Sequence, residues 1–250
     1  MILTPIPPER LPEKLRQFRA GLADAVTRGI LDLMAATSPH RAVAVAAELH
    51  RRQALTLARE FGMGVAAEPC GSWLSWDGER LHADTEAFVL VHEIAHFQLA
   101  SPARRRVIDF GLGAGPDTLD RAAAERGAML TELAGDREEA MVSLLGILWE
   151  VRLSHPALAS FLDQNWLEGA GSERAAAHFS TVLRRLREGG FVSDAGRPTR
   201  HLRQDPDEAP ELRAAVRDVA AGRETASQER PAIPPLPRTR QFAPESSSVG

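Results

Sequence analysis

Between positions 12 and 36, Leu15, Phe18, Leu22, Val26, Ile30 and Leu33 recur every three or four residues, which predicts an amphipathic helix ended by Ser38-Pro39. A second helical stripe over 40–61 carries Val43, Ala47, Leu49, Leu55, Leu57 and Phe61 and stops at Gly62 and Gly64, where a C-cap is expected. Two such stripes should pack as a helical pair. Over 70–81 the period shortens to two around Asp77-Gly78, which predicts a small β-hairpin. From 84 to 100 the period is helical again, with Asp84 or Thr85 as N-cap and a body so apolar that the helix must be buried. Further helices are expected over 136–153, ending before His155-Pro156, and over 172–188, stopped by Gly189-Gly190. A short charged helix over 208–221 follows. The stretch 231–250 is rich in Pro, Arg and Ser, lacks periodicity and reads as a disordered or extended tail.

These elements predict a mainly α (α+β) protein in three parts: an N-terminal helical pair over 1–64 packed on the core, a core unit over 65–204, and a short helix with its tail over 205–250. The 250 residues, 44% hydrophobic and 26% charged, suffice for one sizeable core. A net charge of -4 leaves no global positive field, so neither nucleic acid nor a membrane surface is expected as a partner. The single cysteine, Cys70, excludes a disulfide framework and a Cys-rich zinc module and fits a reducing compartment. With no long apolar run and no leader-like start, a soluble cytoplasmic protein is expected. All basic residues but Lys14 are arginines, a bias better explained by coding composition than by recognition. The clusters Arg104-Arg105-Arg106 and Arg184-Arg185 read as solvated faces. Alternate glycines over 109–117 resemble a phosphate cradle superficially. The third glycine and a preceding strand are missing, so a dinucleotide site is discounted.

The chemistry concentrates in His92-Glu93-Ile94-Ala95-His96. Histidines four apart project from one helix face, so both imidazoles can ligate one metal, and Glu93 sits where it could act on a water at that metal. The alternative is a pair of core histidines bonded to carbonyls or acids. The apolar flanks argue against it, since a buried helix seldom carries such residues unsatisfied. A third ligand must come from downstream, where Glu125, Glu132, Asp136, Glu138 and Glu139 are available. On a helical wheel Glu138 shares a face with Met141, Val142, Leu145 and Trp149, so it is expected to point inward. Glu139 shares its face with Ser143, Gly146 and Glu150 and is expected to point toward water. Glu138 is therefore the expected third ligand, with Glu132 and Asp136 as alternates. The histidines at 40, 50, 82, 155, 178 and 201 occur singly and read as structural or solvated, with His82 kept as a possible pocket residue. Trp73, Trp76, Trp149 and Trp166 read as core or pocket walls.

The motif continues in register through Ala100, Ala103-Arg104-Arg105, Asp109-Phe110-Gly111 and Pro116-Asp117. Over these thirty or so residues the chain resembles the elongation factor P hydroxylase family. The resemblance implies a zincin-like helical metal site, non-haem iron held by two histidines and one carboxylate with His92 and His96 as ligands, and an elongation factor P-like protein substrate. Family spacing places the acid near Glu132. The chain departs from the family at Leu112-Gly113-Ala114-Gly115 and at Thr118, so a shared metal site with an altered substrate wall is expected.

Two readings follow. In the first, Fe(II) on His92, His96 and an acid of the 132–138 region serves a hydroxylase-like oxygenase acting on a protein side chain or related small molecule. Glu93 then carries a proton, and Arg104, Arg105 and Asp109 brace the following loop or contact substrate. In the second, Zn(II) on the same ligands serves a metallopeptidase with Glu93 as general base. An edge strand able to align a peptide would favour the second. A third, non-enzymatic reading is a structural metal site, which would need a closed four-ligand shell.

Overall fold

A computed structural model describes residues 6–67, 76–115, 118 and 120–208. Among them the chain forms eight α-helices and two three-residue strands. The stripe over 12–36 is two helices rather than one, α1 (Leu11–Ala20) and α2 (Ala25–Ala35). Gly21 ends the first, and Asp24, in extended conformation, starts the second by accepting from the Thr27 amide at 2.8 Å. The break has a packing reason as well, because a Cβ on Gly21 would lie 2.9 Å from Ala176. The N-terminal part therefore holds three helices, the third being α3 (Ala44–Glu60).

Residues 70–75 of the expected hairpin lie outside the described residues, and its described part pairs with an earlier strand. Strand β1 (Gly64–Ala66) pairs in parallel with β2 (Arg80–His82), Val65 opposite Leu81. Asp77-Gly78 launches β2: Asp77 Oδ1 accepts from the amides of Glu79 at 2.7 Å and Arg80 at 2.6 Å. Gly78 takes φ 102°, and a Cβ there would stand 3.0 Å from the Arg106 carbonyl. Cys70 and Trp73 lie outside the described residues, as do the helix expected over 208–221, apart from its first residue, and the tail.

Then come α4 (Ala87–Leu99), α5 (Arg121–Arg126), α6 (Glu132–Leu153), α7 (Ala157–Asp163) and α8 (Glu173–Glu188). Helix α4 begins after Glu86, and neither Asp84 nor Thr85 caps it. Helix α6 starts four residues earlier than its pattern suggests, because Thr131 Oγ1 accepts from the Ala134 amide. The periodicity missed α5 and α7, which are too short to establish a stripe.

Helices α4 and α6 form the centre, and both are buried around most of their circumference. They run antiparallel, since His92 lies against Gly146 while His96, one turn on, lies against Glu138 and Glu139. A Cβ on Gly146 would meet the His92 Cα at 3.5 Å, which is ordinary contact and shows how near the backbones come. Helix α3 packs on another side of α4. Phe18 of α1, Phe161 of α7 and Phe179 of α8 meet edge-to-face at 5.6–6.0 Å, so the N-terminal helices share one continuous core with the rest. The segment after α8 returns along α4, where Gln98 Nε2 donates to the carbonyls of Thr199 and His201. No helix among the described residues is long and apolar enough to cross a membrane.

Glu150 of α6 is 3% exposed, with Arg41 Nη1 3.5 Å away. Burial raises its carboxyl from 4.5 to about 7, and Arg41 opposes this only in part. A carboxyl that binds its proton more tightly when folded lowers stability as pH rises from about 4.5 to about 7, and the cost is constant above that. Glu150→Gln removes the ionisation. The variant should melt several degrees above wild type at pH 8, by at most about 3 kcal/mol, with the gap closing near pH 4.5 in thermal melts. A gap that does not change with pH would show that ionisation of Glu150 is not its cause.

Candidate metal centre

Helix α4 sets His92 and His96 on one face, ring centroids 4.8 Å apart at 80°. Across the helix pair, Glu139 bridges them: Oε2 is 3.7 Å from His92 Nε2 and Oε1 is 3.4 Å from His96 Nε2. The ligand atoms of His92, His96 and Glu139 all lie within 4.8 Å of one another, and this group can hold a metal ion.

The third carboxylate is thus Glu139, in place of Glu138. Glu138 is buried as its wheel position implied, but its partner is Arg104, which grips it two-pronged through Nη1–Oε1 at 3.1 Å and Nη2–Oε2 at 2.5 Å. Glu139, expected in water, keeps a side chain 33% exposed and reaches both imidazoles. The wheel failed because α6 buries Val142, Leu144, Leu145, Ile147, Leu148 and Trp149, which point in almost every direction. An apolar stripe on such a helix does not say which side meets α4. The side that does is the one carrying Glu139 and, seven residues on, Gly146. That small residue two turns away was the available signal. Glu132 is exposed and Asp136 half-buried, and neither joins the group.

Glu138 still serves the site. Its Oε1 lies 3.9 Å from His96 Nδ1, beyond hydrogen-bond reach, so its charge acts on the ring without a bond to it. Phe110 stacks on the same ring at 5.4 Å and on Trp76 at 5.5 Å. Asp109 and Phe110 both adopt left-handed backbone, φ 47° and 52°, a conformation costing on the order of 1–2 kcal/mol per residue. The turn is held by the Asp109 amide donating to the Trp76 carbonyl at 3.0 Å and by Thr118 Oγ1 donating to the Asp109 carboxylate.

Arg104 is not on a solvated face. It is fully buried, and besides Glu138 it donates to the Phe110 carbonyl at 3.0 Å and to Asp207 at 3.1 Å. Arg105 donates to the carbonyls of Phe97 at 2.8 Å and Arg203 at 2.5 Å, while Arg106 is exposed. In the glycine-rich loop, Glu125 accepts from the Ala114 amide and Thr118 from the Gly115 amide. Two donors that a phosphate cradle would require are therefore already used.

Charge shapes the centre. Burial by itself would lower the His96 pKa, but Glu139, Glu138 and Glu93 together raise it to about 9. His92 is lowered by burial, which Glu139 offsets only in part. Burial would raise Glu138, yet His96 and Arg104 hold it below the usual carboxylate range. Three carboxylates around one buried imidazole make a place that favours positive charge, whether a proton or a metal ion. The Nδ1 atoms of His92 and His96 are buried without a hydrogen-bond partner among the described residues. Glu93 is half-buried and adds its charge at His96.

Comparison with protein-family models, with curated proteins and with solved structures finds no match to this chain. Arg104→Ala leaves Glu138 buried without its guanidinium partner and Asp207 with Arg203 alone, at a cost of about 3–5 kcal/mol, and frees Glu138 beside His96. Arg104→Lys retains the charge but loses the fork. Both variants should melt lower than wild type, alanine more than lysine, and both should bind metal more weakly. A lysine variant matching wild type in melting temperature and metal affinity would show that the fork is dispensable.

Proposed function

We propose that this chain is a mononuclear metalloenzyme, a non-haem iron hydroxylase-like oxygenase acting on a protein side chain or related small molecule. The observation that carries the reading is the convergence of His92 Nε2, His96 Nε2 and the Glu139 carboxylate at the contact of two buried helices. Two imidazoles and one carboxylate form the donor set that suits ferrous iron and leaves positions open. The buried negative surplus around His96 fits a cation as well. Iron is favoured over zinc by the sequence register from His92 to Asp117, and an elongation factor P-like substrate rests on that register alone.

A ferrous ion would supply one-electron chemistry toward dioxygen. The chain supplies the rest. His92, His96 and Glu139 would hold the ion, and Glu138, fixed by Arg104, keeps its charge beside the His96 ring. Phe110 and Trp76 cover one side of that ring and keep water from it. Glu93, whose charge acts on His96, would hold or pass a proton at its carboxylate.

Elemental analysis of protein purified anaerobically should find about one iron per chain, lost in His96→Ala and Glu139→Ala. Glu138→Gln should retain it with affinity about 10- to 100-fold lower. Near-stoichiometric zinc would favour the hydrolase, in which Glu93→Gln should abolish turnover while keeping metal. Absence of any metal from wild type would overturn the proposal.

Metal binding should also release protons. His96, with a pKa of about 9, is protonated at pH 7 in the metal-free protein and must lose that proton to ligate. Calorimetric titration in buffers of different ionisation enthalpy should find about one proton released at pH 7 and almost none at pH 10. Affinity should rise about tenfold per pH unit between 7 and 9.

A further inference from the structure

A groove of about 520 Å³ lies between α3, the last turns of α6 and the segment 198–200. Its size is typical of a small-molecule site. The floor is apolar, formed by buried Leu57 and Trp149 with Leu153 and Pro198. Trp149 is locked in place by its Nε1 donating to Gln98 Oε1 at 2.7 Å. The lip is fixed too, since Gln98 Nε2 holds the carbonyls on either side of Arg200 and Val192 pairs with Pro198. The groove is therefore preformed.

The polar groups at its rim are donors. Arg52, Arg152 and Arg200 line it with a single acid, Glu60, so the rim charge is 3 − 1 = +2. Glu60 is engaged by Arg200 at 2.5 Å. Neither the Arg52 nor the Arg152 guanidinium has an ion-pair or hydrogen-bond partner among the described residues. Gln53 faces the same space, and its Oε1 lies 3.0 Å from His155 Nε2, which leaves its amide Nε2 to donate. The carbonyl ends of α3 and α6 oppose an anion here, each with about half a negative charge. Two such ends cancel about one of the two positive charges, and the field stays positive.

From this preformed apolar floor beneath two unpaired guanidinium groups, we infer that the groove binds a small organic oxyanion: a phosphate or carboxylate gripped by Arg52 and Arg152, carried on a flat apolar body that lies on Trp149. The site is separate from the metal centre, because Trp149 stands ten residues beyond Glu139 on α6, about 15 Å along the helix.

The test is calorimetric titration of the full chain with 2-naphthyl phosphate, 2-naphthoate, 2-naphthalenemethanol and inorganic phosphate. Saturable one-to-one binding of at least one naphthyl anion is expected, at least tenfold tighter than the alcohol or inorganic phosphate. The two naphthyl anions tell a phosphate preference from a carboxylate one. Both arginines are exposed, so the double variant Arg52→Gln, Arg152→Gln should keep its melting temperature and lose at least tenfold in affinity, while Glu139→Ala should bind as wild type does. Failure of both anions to bind, equal binding of the alcohol or of inorganic phosphate, or undiminished binding by the double variant would overturn the inference.

Discussion

The buried guanidinium of Arg104 is the interaction on which the rest of the centre depends. An arginine with no exposed surface is tolerated only where its donors find acceptors. Arg104 finds Glu138 on α6, the Phe110 carbonyl in the strained turn and Asp207 in the returning segment. Three stretches far apart in sequence are thereby joined at one planar group. The pairing also reassigns an acid: with Glu138 committed to Arg104, the carboxylate left to face both imidazoles is its neighbour Glu139.

A second constraint is the close approach of α4 and α6. Gly146 lets the backbones near each other at His92, and one turn along α4 the same contact brings His96 to Glu138 and Glu139. Three side chains then surround the His96 ring: Phe110 over one face, Glu138 on the Nδ1 side and Glu139 before Nε2. Such support is what a ligating side chain requires, since a ring free to rotate binds metal less tightly. The strained backbone at Asp109 and Phe110 belongs to the same arrangement, because it delivers the ring that stacks on His96.

Helix α6 links two chemically opposite places. Near its start the surroundings of His96 are rich in carboxylates and favour a cation. Near its end the groove over Trp149 is rimmed by guanidinium groups and favours an anion. Gln98, two residues beyond His96, bonds both Trp149 and the groove's lip, so the floor and lip of the groove are held by the helix that bears His92 and His96.

The sequence by itself determined the mainly helical class, the buried character of α4, the extent of α8 and the two-histidine face. Each is local: period, cap and i, i+4 spacing are properties of a few neighbouring residues. Tertiary structure decided the rest. It split the first stripe at Gly21, where another helix comes close, and paired β2 with β1 in parallel, because strand pairing is a choice of partner that alternation does not encode. It chose Glu139 over Glu138, because a helix buried on nearly every side gives no wheel from which to read its facing side. It also drew Arg104 out of a run of three arginines into the interior, since only the fold brings Glu138 and Asp207 to one point.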